Sequence, residues 1–319
     1  MDSVLVLIAA PGSCAIDEDV IDTVRDLTGS DPKWLAENEA CEFPVPSSRR
    51  RPGPMDDRER ASESRHHPDG WVPAFAGMTE LEEMARNRPI DVALLPAANR
   101  SKRVLLADMD STMIGEECLD ELGALAGIGA HIGAITARAM AGELDFEGAL
   151  RQRVAFLAGL DEAAIADVLA KRITFRPGGA TLIATMKANG AHTALISGGF
   201  VQFTGHIASR LGFHEHRGNE LIIEEGRLTG RVREPILGKD AKLEALQRIT
   251  ERLGISPRDA IAVGDGANDI PMLKAAGIGV ALHAKPKVQA EAPLRINHGD
   301  LTALLYLQGY RRDEFIELT

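Results

Sequence analysis

The sequence predicts an α/β fold: a Rossmann-like parallel sheet with an inserted helical cap, preceded by a small α+β module. Three observations carry this. Apolar runs of strand length recur at Val104 to Ala107, Thr193 to Ile196, Ile261 to Val263 and Ile278 to Ala281, each closing on small or acidic residues with helical stretches between them. Some 85 residues separate the first two runs. From about 116 to 176 they are mostly of helical pattern, rich in Ala, Leu and Glu, which is too much for one crossover helix and reads as a cap. Ahead of these, residues 1–98 alternate short strand and helix signals.

Taken in order, the first module reads as a strand over Ser3 to Ala9 ending at Pro11-Gly12 and a helix over about Ile16 to Leu27. A short strand near Glu42 to Val45, a helix over about Glu80 to Arg86 and a strand over Val92 to Leu95 follow. Between them, PSSRRRPGPMDDRERASESRHHPDG from Pro46 has Met55 as its only large apolar side chain. Such a stretch cannot bury enough surface to offset ordering entropy, so a disordered insertion is expected at about 46–80. Its continuation WVPAFAGMTE resembles a translated mobile repeat found in unrelated proteins. Arg49, Arg50 and Arg51 read as solvated loop charge, since acidic residues follow at once, and His66-His67 lies in the same stretch. A linker, Pro96 to Lys102, leads to a second domain over 102–319. Within it NELIIEEGRLTGRV reads as a hairpin turning at Glu225-Gly226.

Composition narrows the function. The 319 residues carry 36 Lys plus Arg against 47 Asp plus Glu, a formal charge of −11, which disfavours nucleic acid and anionic membranes as partners. Aromatic residues are 4%, too few for stacking on single strands. No apolar run reaches the roughly 18 residues that span a bilayer, and Val4 to Ala10 lacks a basic leader, so a cytoplasmic protein is expected. Cys14, Cys41 and Cys118 have no paired spacing for zinc and read as small buried hydrophobes.

Four elements fall at the carboxyl ends of the strands, where such sheets keep their chemistry. VLLADMDSTMIGEE puts Asp108 and Asp110 directly after an apolar run. ALISGGF offers Ser197 and the backbone N–H groups of Gly198 and Gly199 for a phosphate oxygen. Upstream of the third run stands a lysine, Lys239 or Lys242, and AVGDGANDIPM supplies Asp265, Asn268 and Asp269. Phosphoryl transfer asks for this set. A carboxylate can take up the phosphoryl group, a second acid can serve the leaving oxygen and then water, and a lysine with a divalent cation offsets the anionic crowding. Hard oxygen donors favour magnesium. Each piece alone is a common turn or surface residue, and only the conjunction at successive strand ends is specific. No P-loop or dinucleotide fingerprint is present. A phosphoacceptor receiver domain also combines acids, a hydroxyl and a lysine, but it is about 120 residues long and lacks a cap.

From about Lys102 onward the chain resembles the haloacid dehalogenase superfamily and, within it, the phosphoserine phosphatase family, through ADMDST, GEECLDELG, ITARAMAGELDFEGALRQRV, ISGGF, VGDGANDIPM and HAKPKV. The resemblance implies Mg2+-dependent hydrolysis of O-phosphoserine to serine and phosphate, the last step of serine biosynthesis, through an aspartyl phosphate. It assigns Asp108 as nucleophile and Asp110 as general acid/base. Metal binding falls to Asp108, Asp265 and the backbone carbonyl of Asp110, and phosphate binding to Ser197, Gly198 and a lysine, Lys242 fitting better than Lys239. Asn268 joins the substrate contacts and Asp269 supports the site. For the amino-acid part, it implies Glu117 against the ammonium group and Arg153 against the carboxylate, with Phe146 between them. Glu116 is Glu117's neighbour, Cys118 and the methionines Met109 and Met113 read as packing, and His283 and Lys285 as structural. Another small phosphomonoester is the alternative substrate. The first hundred residues resemble a degenerate, interrupted ACT domain, a module that binds amino acids or mediates dimerisation, which makes a second copy of the chain a candidate partner.

Overall fold

The computed structural model describes residues 3–45, 77–140, 143–238 and 240–317. The first module is a four-stranded antiparallel sheet. It comprises β1 (Ser3–Ala9), α1 (Glu18–Thr28), β2 (Lys33–Ala36), β3 (Ala40–Val45), α2 (Met78–Arg86) and β4 (Ile90–Pro96), with strand order β2-β3-β1-β4. Asp17 caps α1 by accepting the Val20 N–H, and Gly29, at φ 69°, ends it in the left-handed conformation. β1 is apolar at nearly every position because both its faces are covered. Leu5, Leu7 and Ala9 pack with Val20 and Val24 of α1 and Leu81 of α2. Val4, Val6 and Ile8 point the other way, into the core of the second domain.

The second domain is a six-stranded parallel sheet whose strands run in the order β12 (Leu294–Ile296), β11 (Ile278–Leu282), β10 (Ala260–Gly264), β5 (Val104–Ala107), β6 (His192–Phe200) and β7 (Glu215–Asn219). From β5 (Val104–Ala107) the chain enters a cap of α3 (Cys118–Leu125), α4 (Gly129–Met140), α5 (Phe146–Ala155) and α6 (Ala163–Lys171). It returns through α7 (Gly179–Ala188) to β6 (His192–Phe200), α8 (Val201–Leu211) and β7 (Glu215–Asn219). A hairpin follows, β8 (Leu221–Glu224) and β9 (Arg227–Val232), whose turn residues Glu225 and Gly226 have φ 51° and 73°, the two left-handed positions of a tight hairpin turn. Gly159 N–H donates to Leu228 O at 2.8 Å and Leu228 N–H to Leu160 O at 2.9 Å, so the hairpin braces the cap. Next come α9 (Ala241–Arg252), β10 (Ala260–Gly264), α10 (Ile270–Ala275), β11 (Ile278–Leu282), α11 (Pro286–Glu291), β12 (Leu294–Ile296) and α12 (Ala303–Leu307). The chain passes from β5 to one side of the sheet first and to the other side later, so the loops after β5, β6 and β10 meet at one crevice.

Polar ties join the module to this domain. Asp91 is 5% exposed and accepts the N–H groups of Asn297, His298 and Gly299 at 2.7, 2.9 and 2.8 Å. Arg100 pairs with Glu42 and donates to Tyr306 O and Leu307 O, both at 3.0 Å, while Tyr306 Oη donates to Glu39 at 2.8 Å. Among the described residues no helix is long and apolar enough to cross a membrane.

Three strands escape the sequence pattern. β2 has four residues and β12 three, and β7, EHRGN, is a polar edge strand whose residues lack alternation. β6 also runs on through Ser197-Gly198-Gly199 to Phe200, with a register shift against β7 between Ile196 and Phe200. Cys14 is exposed, at φ 49° in the β1–α1 loop, whereas Cys41 and Cys118 are buried as expected of small hydrophobes. The expected insertion, with Arg49, Arg50, Arg51, Met55, His66 and His67, falls on 46–76, outside the described residues; its last residues, expected to continue it to 80, instead begin α2 at Met78.

Candidate active site

At the crevice lies a cavity of about 540 Å³ between sheet and cap. From the sheet side it is lined by Asp108, Asp110, Ser197, Gly198, Asp265 and Asn268, and from the cap by Glu117, Phe146 and Arg153, with Leu119, Leu144 and Leu150 among its apolar wall. Among the described residues, every site residue anticipated from the sequence lines this one space except Lys242 and Asp269, which are buried behind its wall. His283 and Lys285 do not line it, and Met109 and Met113 are fully buried.

The sheet side is a carboxylate cluster around one ammonium. Asp108 follows β5, its N–H held by Val263 O at 3.0 Å. Lys242, on the first turn of α9, is buried with its Nζ 2.8 Å from Asp108 Oδ1 and 2.5 Å from Asp269 Oδ1. Asp269 is fully buried and its other oxygen accepts Gly266 N–H at 2.9 Å. Lys239 lies outside the described residues. Asp265 Oδ1 accepts the Thr112 hydroxyl at 2.8 Å. Asp110 Oδ1 accepts Cys118 N–H at 2.9 Å and its Oδ2 the Ser197 hydroxyl at 3.3 Å. Of the amides read as phosphate donors, Gly199 N–H is taken by Ser197 Oγ at 2.8 Å, because the turn folds back on its own serine. A side chain at Gly199 would meet Asp110 Oδ2 at 2.9 Å, and one at Gly198 would meet the Phe146 ring at 3.1 Å. Both glycines thus sit at close approaches, one to the Asp110 carboxylate and one to a ring of the cap.

Burial, followed by the charge of Asp269, holds Asp108 well above the usual carboxylate range against the pull of Lys242. Asp110 and Asp265 are also raised by burial, opposed chiefly by the Cys118 N–H in the first case and the Thr112 hydroxyl in the second. Lys242 stays firmly charged, the fields of Asp108 and Asp269 outweighing its burial. Glu117 opens onto the cavity yet is largely enclosed by protein, and this together with the Asp110 charge pushes it up to about 7. Four carboxylates thus face one ammonium. Oxygen atoms of Asp108, Asp265 and Asp269 lie within 4.8 Å of one another. Hard donors with an excess of negative charge suit a divalent cation. With Asp269 engaged by Lys242 and Gly266, Asp108 and Asp265 are the carboxylates best placed to hold one.

Sequence reasoning missed two contacts. Thr112 holds Asp265, and Cys118, read as packing, donates its N–H to Asp110. The motif D-x-D-S-T contains the first, but nothing in the sequence says that the chain turns back to bring residue 118 onto residue 110.

A parallel sheet whose switch point gathers D-x-D, Ser-Gly-Gly, a buried lysine and an acidic loop beneath an inserted helical cap defines a haloacid dehalogenase-like hydrolase, and the model of that family matches residues 105–274. A phosphoserine phosphatase from Haemophilus influenzae is 43% identical over 220 residues, 68% of this chain and 70% of that protein. One from Streptomyces coelicolor is 41% identical over 238 residues, 74% of this chain but 58% of that longer protein. The structure of a haloacid dehalogenase family hydrolase from Salmonella enterica serovar Typhi superposes with a TM-score of 0.79 at 29% identity, covering 96% of this chain and 98% of the other. The chain belongs to the phosphoserine phosphatase family.

Proposed function

We propose that the protein hydrolyses O-phospho-L-serine to L-serine and phosphate with Mg2+ as cofactor. The observation that carries this is the single cavity in which the Asp108/Asp110 pair faces an anion and a cation of the cap, Glu117 and Arg153. A phosphorylated amino acid presents the complementary set: a phosphate toward the sheet, an ammonium toward Glu117 and a carboxylate toward the guanidinium of Arg153.

Asp108, whose ionised form the Lys242 ammonium favours, attacks phosphorus through Oδ, the bond to the serine oxygen breaks, and an aspartyl phosphate forms. Asp110, whose burial favours the protonated form, gives its proton to the departing oxygen. It then takes a proton from water, which attacks the aspartyl phosphate and returns Asp108 to its starting state. Lys242 balances charge on the transferring group, and Ser197 with Gly198 and Asn268 binds phosphate oxygens. Asp269 keeps Lys242 in place. Asp108, Asp265 and the carbonyl of Asp110 would hold Mg2+, which supplies further positive charge against the phosphoryl oxygens. Phe146, resting over Gly198, closes the cavity from the cap.

Phosphate release from phosphoserine, phosphothreonine and sugar phosphates, with and without Mg2+, tests the reading. Phosphoserine is expected to be preferred and Mg2+ to be required, and preference for a sugar phosphate would leave the chemistry standing with a different substrate. Arg153→Ala is expected to lower kcat/KM for phosphoserine by about 100-fold and that for p-nitrophenyl phosphate by no more than about threefold. Equal losses would remove Arg153 from substrate recognition.

The ammonium needs the ionised form of Glu117, so kcat/KM for phosphoserine falls as pH drops through about 7 and levels off above it. Glu117→Gln is expected to erase this limb for phosphoserine and leave the p-nitrophenyl phosphate profile unaltered. A limb surviving the substitution would assign it to another group.

A further inference from the structure

The loop between β5 and the cap holds a backbone outlier at a residue that the reaction scheme does not use. Ser111 has φ 54°, the left-handed region that a side chain beyond glycine disfavours. Such a conformation persists where its surroundings fix it, and often marks a functional constraint. Three hydrogen bonds do so here. Its N–H donates to Glu116 O at 3.2 Å, its carbonyl accepts Arg176 Nε at 3.1 Å, and its hydroxyl donates to Glu117 Oε1 at 2.8 Å. Arg176 N–H in turn donates to Met113 O at 3.0 Å, and Ile114 pairs with Phe175. Ser111 thus fastens the loop bearing Asp108 and Asp110 to both segments by which the chain enters and leaves the cap.

Glu117 immediately precedes α3 and makes no capping bond to it. Its carboxylate turns instead to Ser111. A long acidic side chain at the mouth of a cavity is otherwise free to sample several rotamers, and one charge-assisted hydrogen bond at 2.8 Å selects among them. We infer that Ser111 is a positioning residue: its hydroxyl, delivered by the left-handed backbone, aims Glu117 at the ammonium group of the substrate. The inference rests on phosphoserine as substrate. It also gives a physical reason for serine at this point of D-x-D-S-T, since glycine would accept the backbone but supply no donor.

The test pairs two substitutions with two substrates. Ser111→Gly relieves the backbone and removes only the hydroxyl, and Ser111→Ala removes the hydroxyl while keeping the constraint. Both are expected to raise KM for phosphoserine about tenfold with kcat changed less than about threefold, and to leave kcat/KM for p-nitrophenyl phosphate within about twofold. Ser111→Gly is further expected to keep the thermal midpoint of the unsubstituted enzyme, which separates aiming from folding. Combined with Glu117→Gln, neither should add to the loss that Glu117→Gln causes alone. Equal losses on both substrates, or full additivity with Glu117→Gln, would overturn the role of Ser111. An unsubstituted enzyme without preference for phosphoserine would overturn the substrate reading itself, and this role with it.

Discussion

Asp108→Asn is expected to abolish phosphate release, by about a thousandfold or more, without loss of folded protein. The amide keeps the shape of the side chain but cannot form a stable bond to phosphorus. Its effect on stability is small because the substitution removes one anion from a buried cluster in which Lys242 retains Asp269 at 2.5 Å. Phosphate assays over many turnovers together with a thermal melt check both parts. Retained turnover would refute the nucleophile assignment, and a collapsed melt would show that Asp108 is needed for folding.

Lys242→Met is expected to fail in both respects. Its ammonium is buried between Asp108 and Asp269, and removing it leaves carboxylates without their counter-charge, at a cost of about 3–5 kcal/mol. The thermal midpoint should fall by about 10 °C, and turnover by about 100-fold or more. Added Mg2+ is expected to recover part of the midpoint, since a cation that binds the folded state stabilises it, while turnover stays low. A variant as stable as the parent would overturn the ion-pair description of Lys242 with Asp108 and Asp269.

The sequence revealed those parts of the fold whose signal is local. β5, β10 and β11 are short apolar runs, and the residues that follow them include Asp108 and Asp265, so both the sheet and its chemical edge could be read directly. The turn at Glu225-Gly226 carries its own backbone signature. β7 and β12 were invisible because they are held by a neighbour rather than by their own pattern: EHRGN takes its extended form from pairing along β6, and Leu294 to Ile296 from β11. The same division applies to the site. Asp108, Asp110, Ser197 and Asp265 stand in motifs, whereas Glu117, Phe146 and Arg153 carried no local signal and were found only through resemblance to a family. The contact of Cys118 with Asp110 depends on how the chain re-enters the cap, which no spacing rule expresses. Thr112 lay within a recognised motif and could have been named, since a hydroxyl two residues beyond Asp110 is an evident donor to a neighbouring acid.

The first module is bound into the catalytic domain rather than appended to it. Its sheet is covered on one side by α1 and α2 and on the other by the catalytic domain, with Val4, Val6 and Ile8 sharing a core with Leu304 and Leu305. Deleting the module would strip apolar cover from α12 and leave the backbone amides of residues 297–299 without Asp91. In this chain the module is therefore part of one continuous core with the catalytic domain, and a truncation at residue 102 is expected to cost stability well beyond the loss of its own contacts.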